Sequence, residues 1–394
     1  VGCNRRKPYC TEMTAVLSKA VQFSLIITLR GAKQVTSQQR SAYMPRNRTV
    51  RLSQLCLVLV VVMISSFGQV SAKGFDDAVS QHIEYPAWFE HTPFNDLEAV
   101  LDDARSQGKH GLMVLLTTEG CSYCERFIRK SLGDRQTASR VQANFATVGL
   151  EIFDDREMTD PRGEAMSIKA FAAQEGAEFS PTLLFYGEGG ERLVRQVGYQ
   201  SPERFNQILD YLLDGHAARE SLRSYLRHAG EGGGTASSQA NLKDDPLFIS
   251  PPYALDRSRF PAEQPLLVIF DRAGCEACDR FHTDVLARQE IRDLLKGFEI
   301  VRLDVGDAKT AVIAPEGRRT TAAKWYEQTA FSRLPALVFF DERGNQVLET
   351  DALVGRMRML NSVQFVLQRA YEKGGTYPRF ARTSAIERLN RERE

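Results

Sequence analysis

Apolar positions alternate between helical and strand-like spacing from residue 96 to residue 213. Apolar side chains recur every three or four positions in 96–107, which predicts an amphipathic helix. The apolar face of this helix consists of Leu97, Val100, Leu101 and Ala104. Residues 112–116 form a continuous apolar run, which is typical of a strand buried on both faces. The same reasoning predicts further helices at 121–131, 134–144, 164–174 and 202–213, and further strands at 146–152, 182–186 and 192–197.

The second half of the chain repeats this order of elements. Its pattern predicts strands at 266–270, 299–303, 336–340 and 346–349, and helices at 275–286, 320–328 and 361–372. A repeat of alternating strands and helices predicts an α/β fold with two tandem domains, each a central mixed sheet flanked by helices. We place these domains at 96–215 and 262–373.

The remaining stretches of the chain differ from the two domains in composition. Residues 230–239 are rich in glycine and serine, which indicates a flexible connection, and we predict a linker over 216–261. Residues 73–95 are predicted to be a lead-in segment. Residues 374–394 form a charged tail of mixed sign, which we expect to be solvated and partly helical.

The N-terminal region has the pattern of a secretory signal. Met44 opens a short cationic segment, residues 52–64 are almost entirely apolar, and Val70-Ser71-Ala72 supplies the small residues that a signal peptidase accepts. We therefore predict a signal peptide over 44–72 that is cut after Ala72, and a periplasmic mature protein.

Two further expectations concern the same region. Residues 1–43 precede a plausible start at Met44, which favours an upstream extension of the reading frame. The alternative to cleavage is an uncleaved membrane anchor. The apolar stretch 52–67 is shorter than the roughly 20 residues that a membrane-spanning helix needs.

Composition narrows the class of protein. The 394 residues allow two domains of ordinary size, and the net charge of +1 with 26% charged residues gives no broad basic or acidic field. We therefore expect no nucleic-acid partner.

The cysteines are grouped in a way that points to chemistry. Beyond residue 56 the chain has only two Cys-x-x-Cys pairs, Cys121 with Cys124 and Cys275 with Cys278, here called site 1 and site 2. A zinc site commonly uses two such pairs some 15–20 residues apart, whereas these pairs lie in different halves of the chain. Covalent haem attachment requires a histidine directly after the second cysteine, where this chain has Glu125 and Asp279. A structural disulfide stays an alternative, but so small a ring restrains little of the unfolded chain. We expect a redox-active dithiol, without metal or cofactor.

The spacing also predicts which sulfur reacts. Two thiols three residues apart lie on one face of a helical turn, near enough to form a disulfide. A first cysteine at the start of a helix is stabilised as a thiolate by the free backbone N–H groups there. Cys121 and Cys275 are thus the predicted nucleophiles, and Cys124 and Cys278 the resolving thiols.

A lone proline follows each pair at the same distance. Pro181 comes 60 residues after Cys121, and Pro335 comes 60 residues after Cys275. With Gly120, Phe127 and Gly198-Tyr199 in the first half, and Gly274 and Phe281 in the second, this pattern resembles tandem thioredoxin-fold proteins, nearest to periplasmic proteins of the SoxW type.

The resemblance implies further site residues. Pro181 and Pro335 are expected to be cis and to face the dithiols, with the main chain of Ser180 and Leu334 pairing with an extended substrate. Thioredoxins carry a buried aspartate six residues before the first cysteine, where this chain has Leu115 and Ile269, and Gly120 and Gly274 replace their tryptophan. Activity like that of a cytosolic thioredoxin is therefore not expected.

The two sites are predicted to differ in reduction potential. Glu276 lies between the cysteines of site 2, with Asp271 and Asp279 nearby, and negative charge disfavours a thiolate. We expect site 2 to be the more reducing pair. His282 is read as an exposed helix residue, and Trp88, Trp325, Phe127, Phe185, Phe281 and Phe339 as packing residues.

The expected function is thiol-disulfide exchange with protein substrates, as a reductase or isomerase supplied by a membrane electron donor. Two alternatives stay open at this point. One is net disulfide oxidation. The other is a client-binding or chaperone module in which redox chemistry is secondary.

Overall fold

A four-stranded mixed sheet organises the first half of the chain, here called domain 1. The computed structural model describes residues 75–78, 80–91, 94–230 and 244–391, so the predicted signal, the upstream extension and the centre of the linker lie outside the described residues. The elements of domain 1 are α1 (Leu97–Ser106), β1 (Gly111–Thr117), α2 (Ser122–Arg126), α3 (Arg135–Asn144), β2 (Phe145–Glu151), β3 (Glu157–Thr159), β4 (Ala165–Ser167), α4 (Ile168–Gln174), β5 (Thr182–Tyr186), β6 (Arg192–Val197), α5 (Pro202–Leu213) and α6 (Leu222–Gly230).

The second half, domain 2, has the same arrangement. Its elements are β7 (Tyr253–Ala254), β8 (Leu266–Asp271), α7 (Glu276–Phe281), α8 (Gln289–Leu295), β9 (Glu299–Asp304), β10 (Ala311–Ile313), β11 (Arg319–Thr321), α9 (Ala322–Gln328), β12 (Ala336–Phe340), β13 (Gln346–Thr350), α10 (Arg356–Leu367) and α11 (Tyr377–Arg391).

The two main sheets have equivalent topology. Their strand orders are β2-β1-β5-β6 and β9-β8-β12-β13. In each sheet the first two strands in chain order are parallel, and the later two add as an antiparallel hairpin. The predicted fold class, two tandem α/β domains, is therefore confirmed.

Local sequence explains the elements that lead into the sites. Every residue of β1 and of β8 is buried, as expected for apolar strands in the middle of a sheet. Helix α1 starts where the side chain of Asp96 accepts a hydrogen bond of 3.0 Å from the Ala99 N–H. The face of α1 predicted to be apolar is buried throughout.

Several elements differ from the sequence-based expectation. The helix after each cysteine pair continues as a π-helix, at Phe127–Leu132 and at His282–Leu286. The pattern did not predict α8 or the short strands β3, β4, β7, β10 and β11. Helix α6 lies within the stretch predicted to be linker, and α11 occupies most of the charged tail.

The aromatic residues expected to pack do so in the core. Phe127, Phe185 and Phe339 are fully buried, and Phe281 and Trp325 are nearly so. Phe179 of domain 1 belongs to the core of domain 2, where its ring lies 4.4 Å from that of Tyr377. The two domains are thus joined by apolar packing as well as by the chain. Among the described residues, no helix combines the length and the apolar character needed to cross a membrane.

Candidate active sites at the two cysteine pairs

Site 1 lies at the carboxyl end of the buried strand β1. The loop after this strand turns at Gly120, whose φ of +82° is in the left-handed region that favours glycine. Cys121 then forms the N-cap of α2. The strand, the turn and the helix together place Cys121 at the edge of the sheet.

The main chain of site 1 points a hydrogen-bond donor at the first sulfur. The backbone N–H of Cys124 donates to Cys121 Sγ over 3.1 Å. The two cysteines form a disulfide with a Cα–Cα distance of 5.3 Å. When the pair is reduced, this N–H and the start of the helix favour the thiolate of Cys121 over the thiol.

The proline loop of site 1 lies against the loop that precedes the cysteines. The Ser180–Pro181 bond is cis, as expected. The hydroxyl oxygens of Thr118 and Ser180 are 3.0 Å apart. The carbonyl of Pro181 accepts a 2.7 Å hydrogen bond from the N–H of Gly198. The structure therefore places the proline loop against the loop that leads to Cys121, and Gly198 against Pro181.

Site 2 repeats this geometry in domain 2. Cys275 forms the N-cap of α7, and the N–H of Cys278 donates to Cys275 Sγ over 3.2 Å. The pair is a disulfide with a Cα–Cα distance of 5.2 Å. The Leu334–Pro335 bond is cis, and Ala336 pairs with Phe270 across the sheet. Pro335 is therefore at the same sheet edge as the end of β8, from which the loop to Cys275 departs.

A buried carboxylate next to a histidine distinguishes site 2. Asp271, the last residue of β8, is 1% exposed, and its Oδ2 lies 2.6 Å from His282 Nε2. The interpretation of His282 as an exposed residue was wrong, because its side chain is only 22% exposed and packs edge-on against Phe248. Asp271 directly follows the apolar run 266–270, and a carboxylate buried there needs a partner. This position is the signal from which the Asp271–His282 pair could have been predicted.

Site 1 has no equivalent of this pair. The residue four positions before its first cysteine is Thr117, whose hydroxyl bonds to that of Tyr85, and the residue seven positions after is Ile128. A titratable pair beside one dithiol and a neutral pair beside the other give the two sites different electrostatic surroundings.

A comparison with sequence profiles of known families identifies the family of this chain. The sequence profile of the thioredoxin-like domain matches residues 97–213 and again residues 259–366, which together are more than half of the chain. The chain belongs to the thioredoxin-like family. No curated protein matches it.

Three solved structures with a similar fold align with 31% to 39% of the chain. A thioredoxin-fold protein from Helicobacter pylori is 18% identical and covers 32% of this chain and 86% of its own, with a TM-score of 0.28. A thioredoxin from Thermus thermophilus is 22% identical and covers 31% and 88%, with a TM-score of 0.25. A disulphide isomerase from Xylella fastidiosa Temecula1 is 11% identical and covers 39% and 99%, with a TM-score of 0.20.

The two thioredoxin-like sites differ in exposure. In site 1 the two residues between the cysteines, Ser122 and Tyr123, are buried. In site 2 the corresponding residues, Glu276 and Ala277, are exposed. The second cysteine is buried in both sites. The first cysteine of each pair is half-buried. Site 2 thus offers an open surface around its disulfide, whereas the surface around site 1 is covered.

Site 1 is covered by Asp77, Gly355 and Arg358, all of which contact Tyr123. The Tyr123 hydroxyl donates to Asp77 Oδ2 over 2.8 Å and accepts from the N–H of Gly355 over 2.8 Å. Asp77 in turn accepts hydrogen bonds from the N–H groups of Met357 and Arg358, at the start of α10. Burial raises the pKa of Tyr123 well above its ordinary value, so the hydroxyl stays protonated. One tyrosine therefore joins the lead-in segment, site 1 and domain 2.

Arg358 extends the cover to the proline loop. Its guanidinium lies 3.7 Å from the centre of the Tyr123 ring, and its Nη2 donates to the carbonyl oxygen of Ser180 over 2.8 Å. Sequence reasoning missed this arginine and Asp77, because both are far from the cysteines along the chain.

Proposed function

We propose that this protein catalyses thiol-disulfide exchange with protein substrates as a reductase or isomerase, in the periplasm after export, in the manner of SoxW-type proteins. Membership of the thioredoxin-like family and two cysteine pairs support the chemistry. The observation that carries the proposal is the backbone N–H that points at the first sulfur in both sites, at 3.1 and 3.2 Å. A purely structural disulfide has no need of a device that favours its own thiolate.

The reaction at a reduced site has two steps. The thiolate of the first cysteine attacks one sulfur of a substrate disulfide, a mixed disulfide forms, and one substrate thiolate leaves and takes up a proton. The thiol of the second cysteine then loses its proton and attacks the first cysteine. This closes the Cys-x-x-Cys disulfide and releases the second substrate thiol. Two electrons have passed to the substrate, and a dithiol donor at the membrane returns two electrons to the site.

The proposed roles of the site residues follow from their positions. Cys121 and Cys275 act as nucleophiles, and Cys124 and Cys278 resolve the mixed disulfide. We assign the pairing with an extended substrate to the main chain of the proline loop, at Ser180 in site 1 and Leu334 in site 2. In site 1 the Ser180 carbonyl already accepts a hydrogen bond from Arg358.

Reduction of insulin disulfides by dithiothreitol tests the activity. We expect the natural protein to accelerate it at least tenfold, and a variant with Cys121→Ser and Cys275→Ser to give no acceleration. Reactivation of scrambled ribonuclease measures isomerisation on the same samples. Oxidation of reduced ribonuclease is measured as a third reaction. If it is faster than both insulin reduction and reactivation of scrambled ribonuclease, net oxidation is favoured. Client protection that survives both serine changes would favour the binding function.

The periplasmic location needs a separate measurement. The chain beginning at Met44, produced in a Gram-negative bacterium, is expected in the periplasmic fraction with Lys73 as its first residue. A protein that stays in the cytoplasm with its N-terminal segment intact would refute export.

A further inference from the structure

The proline loop of site 1 is already engaged by domain 2. The carbonyl of Ser180 is the group that an incoming extended peptide would use, and Arg358 Nη2 donates to it over 2.8 Å. Arg358 is itself 7% exposed and has a second hydrogen bond to the carbonyl of Leu353. A polypeptide that paired with Ser180 would have to displace a buried guanidinium, which is costly.

Tyr123, which lies between the cysteines of site 1, is also covered. Tyr123 is 5% exposed because its ring lies under Arg358 and its hydroxyl is bonded to Asp77 and Gly355. Gly355 permits this contact only because it has no side chain. A Cβ there would lie 2.7 Å from the Tyr123 hydroxyl oxygen.

The lead-in segment closes the remaining side. A Cβ on Gly120 would lie 2.8 Å from the Ser80 hydroxyl, so the lead-in chain passes directly over the turn before Cys121. The Gln81 N–H donates to the Gly120 carbonyl over 3.4 Å. Site 1 is therefore enclosed on three sides, while Cys121 itself remains half-buried rather than sealed.

Site 2 lacks such an enclosure in the described part of the chain. Pro335 of its proline loop is partly exposed whereas Pro181 is buried, and Gly274, Glu276 and Ala277 around Cys275 are exposed. Glu276 extends into solvent with 83% of its side chain exposed. An extended polypeptide can reach this sulfur without moving either domain.

We propose that the two sites differ in substrate class: site 1 exchanges with low-molecular-weight thiols and disulfides, and protein disulfides react at site 2. The inference rests on the proposed function and deepens it. At site 1 the thiolate of Cys121 attacks a small disulfide RSSR, releases RSH after protonation, and forms a mixed disulfide. Cys124 then resolves it, releasing the second RSH. Two molecules of RSH run the same steps in reverse and reduce the site.

Single-site proteins separate the two substrate classes. The site-1 protein carries Cys275→Ser and Cys278→Ser, and the site-2 protein carries Cys121→Ser and Cys124→Ser. Each is reduced, freed of reductant, and mixed with glutathione disulfide or with insulin, and the loss of protein thiols is followed over one turnover. We expect the two proteins to react with glutathione disulfide at rates within tenfold of each other. With insulin, the site-1 protein is expected to be at least 100-fold slower.

Variants of Arg358 and Asp77 test whether these residues exclude protein substrates from site 1. In the site-1 protein, Arg358→Gln and, separately, Asp77→Ala are expected to raise the insulin rate at least tenfold with no change in the glutathione disulfide rate. Both changes remove hydrogen bonds between the domains, so the unchanged glutathione disulfide rate is also the check that each variant is folded. Arg356→Gln is the matched control, because Arg356 precedes Arg358 by one helical half-turn and pairs with Glu290 instead of covering the site. It is expected to change neither rate.

The possible results distinguish the division of substrates between the sites from the proposed oxidoreductase function. Equal insulin rates for the two single-site proteins would overturn the division of substrates and leave the oxidoreductase function standing. A site-1 protein inert to both substrates would do the same. Failure of both proteins with both substrates would refute the proposed function itself. Cover variants that leave the insulin rate unchanged would refute the part assigned to Arg358 and Asp77.

Discussion

The hydroxyl oxygen of Tyr123, between the cysteines of site 1, accepts a 2.8 Å hydrogen bond from the N–H of Gly355 in domain 2. The same hydroxyl donates to the carboxylate of Asp77. The side chain next to Cys124 in site 1 therefore also joins domain 1 to domain 2.

Removal of that hydroxyl is expected to weaken the joint. Tyr123→Phe leaves the Gly355 N–H without this partner, so we expect a loss of about 1–3 kcal/mol in the free energy of unfolding. Urea unfolding followed by tyrosine and tryptophan fluorescence measures the change. Tyr253→Phe is the control, because the described residues offer the Tyr253 hydroxyl no hydrogen bond. Equal effects of the two changes would contradict the prediction.

A second contact between the domains depends on a glycine. Gly198 has a φ of +79°, and a Cβ there would lie 2.4 Å from the Cβ of Ala352. Gly198→Ala therefore adds a steric conflict to the cost of the left-handed backbone, and we expect roughly 2–4 kcal/mol of destabilisation.

Gly215→Ala is the matched control for this change. Gly215 has a φ of +70° with open space around it, so only the backbone cost of roughly 1–2 kcal/mol applies. Thermal unfolding of the two variants measures the difference. If Gly215→Ala proves as destabilising as Gly198→Ala, the close approach of the domains contributes nothing.

The two disulfides are expected to differ in reduction potential, with site 2 the more reducing. Glu276 lies next to Cys275 and disfavours its thiolate, although its ion pair with Arg280 and its exposure weaken the effect. Glu276→Gln is therefore expected to raise the potential of site 2 modestly, by about 20 mV. Equilibration of single-site proteins with glutathione buffers measures both values, with Glu263→Gln as control. A site 2 as oxidising as site 1 would refute the hypothesis.

The pH dependence of stability is expected to change on removal of Glu349. Burial raises the pKa of this carboxyl above 4.5, with a smaller contribution from Asp351, while Gln346 and Arg195 oppose the shift. The folded state therefore holds the proton more strongly than the unfolded state. The contribution of Glu349 to stability is most favourable below pH 4.5 and is lost as the pH rises through the folded pKa.

Glu349→Gln removes this loss because the amide does not ionise. We expect its melting temperature at pH 7 to exceed that of the natural protein by about 2 °C, and the difference to shrink towards pH 4. Calorimetry across that range measures it. Glu387→Gln, on the exposed face of α11, is expected to leave the profile unchanged. A variant less stable than the natural protein at pH 7 would contradict the sign.

The sequence predicted the repeated parts of the molecule well. The equal intervals from Cys121 to Pro181 and from Cys275 to Pro335 predicted the repeated fold, because the same three helices, one long strand and one short hairpin lie in each interval. Phe185 and Phe339 lie in the predominantly apolar runs 182–186 and 336–340, from which their burial could be predicted.

Other features depend on contacts that a linear pattern does not show. The strands β3 and β4, and likewise β10 and β11, have three residues each, and such short strands form only because a partner lies opposite them. Asp77 and Arg358 are unremarkable charged residues in the sequence. Their importance arises only when domain 2 packs onto domain 1.

The bond between Asp77 and Met357 joins residues 280 positions apart in the chain. The N–H groups of Gly355, Met357 and Arg358 that bond to Tyr123 and Asp77 all lie in about the last tenth of the chain. Proteolytic removal of the chain from Gly355 onward would therefore uncover site 1, although the cut is more than 230 positions from its cysteines.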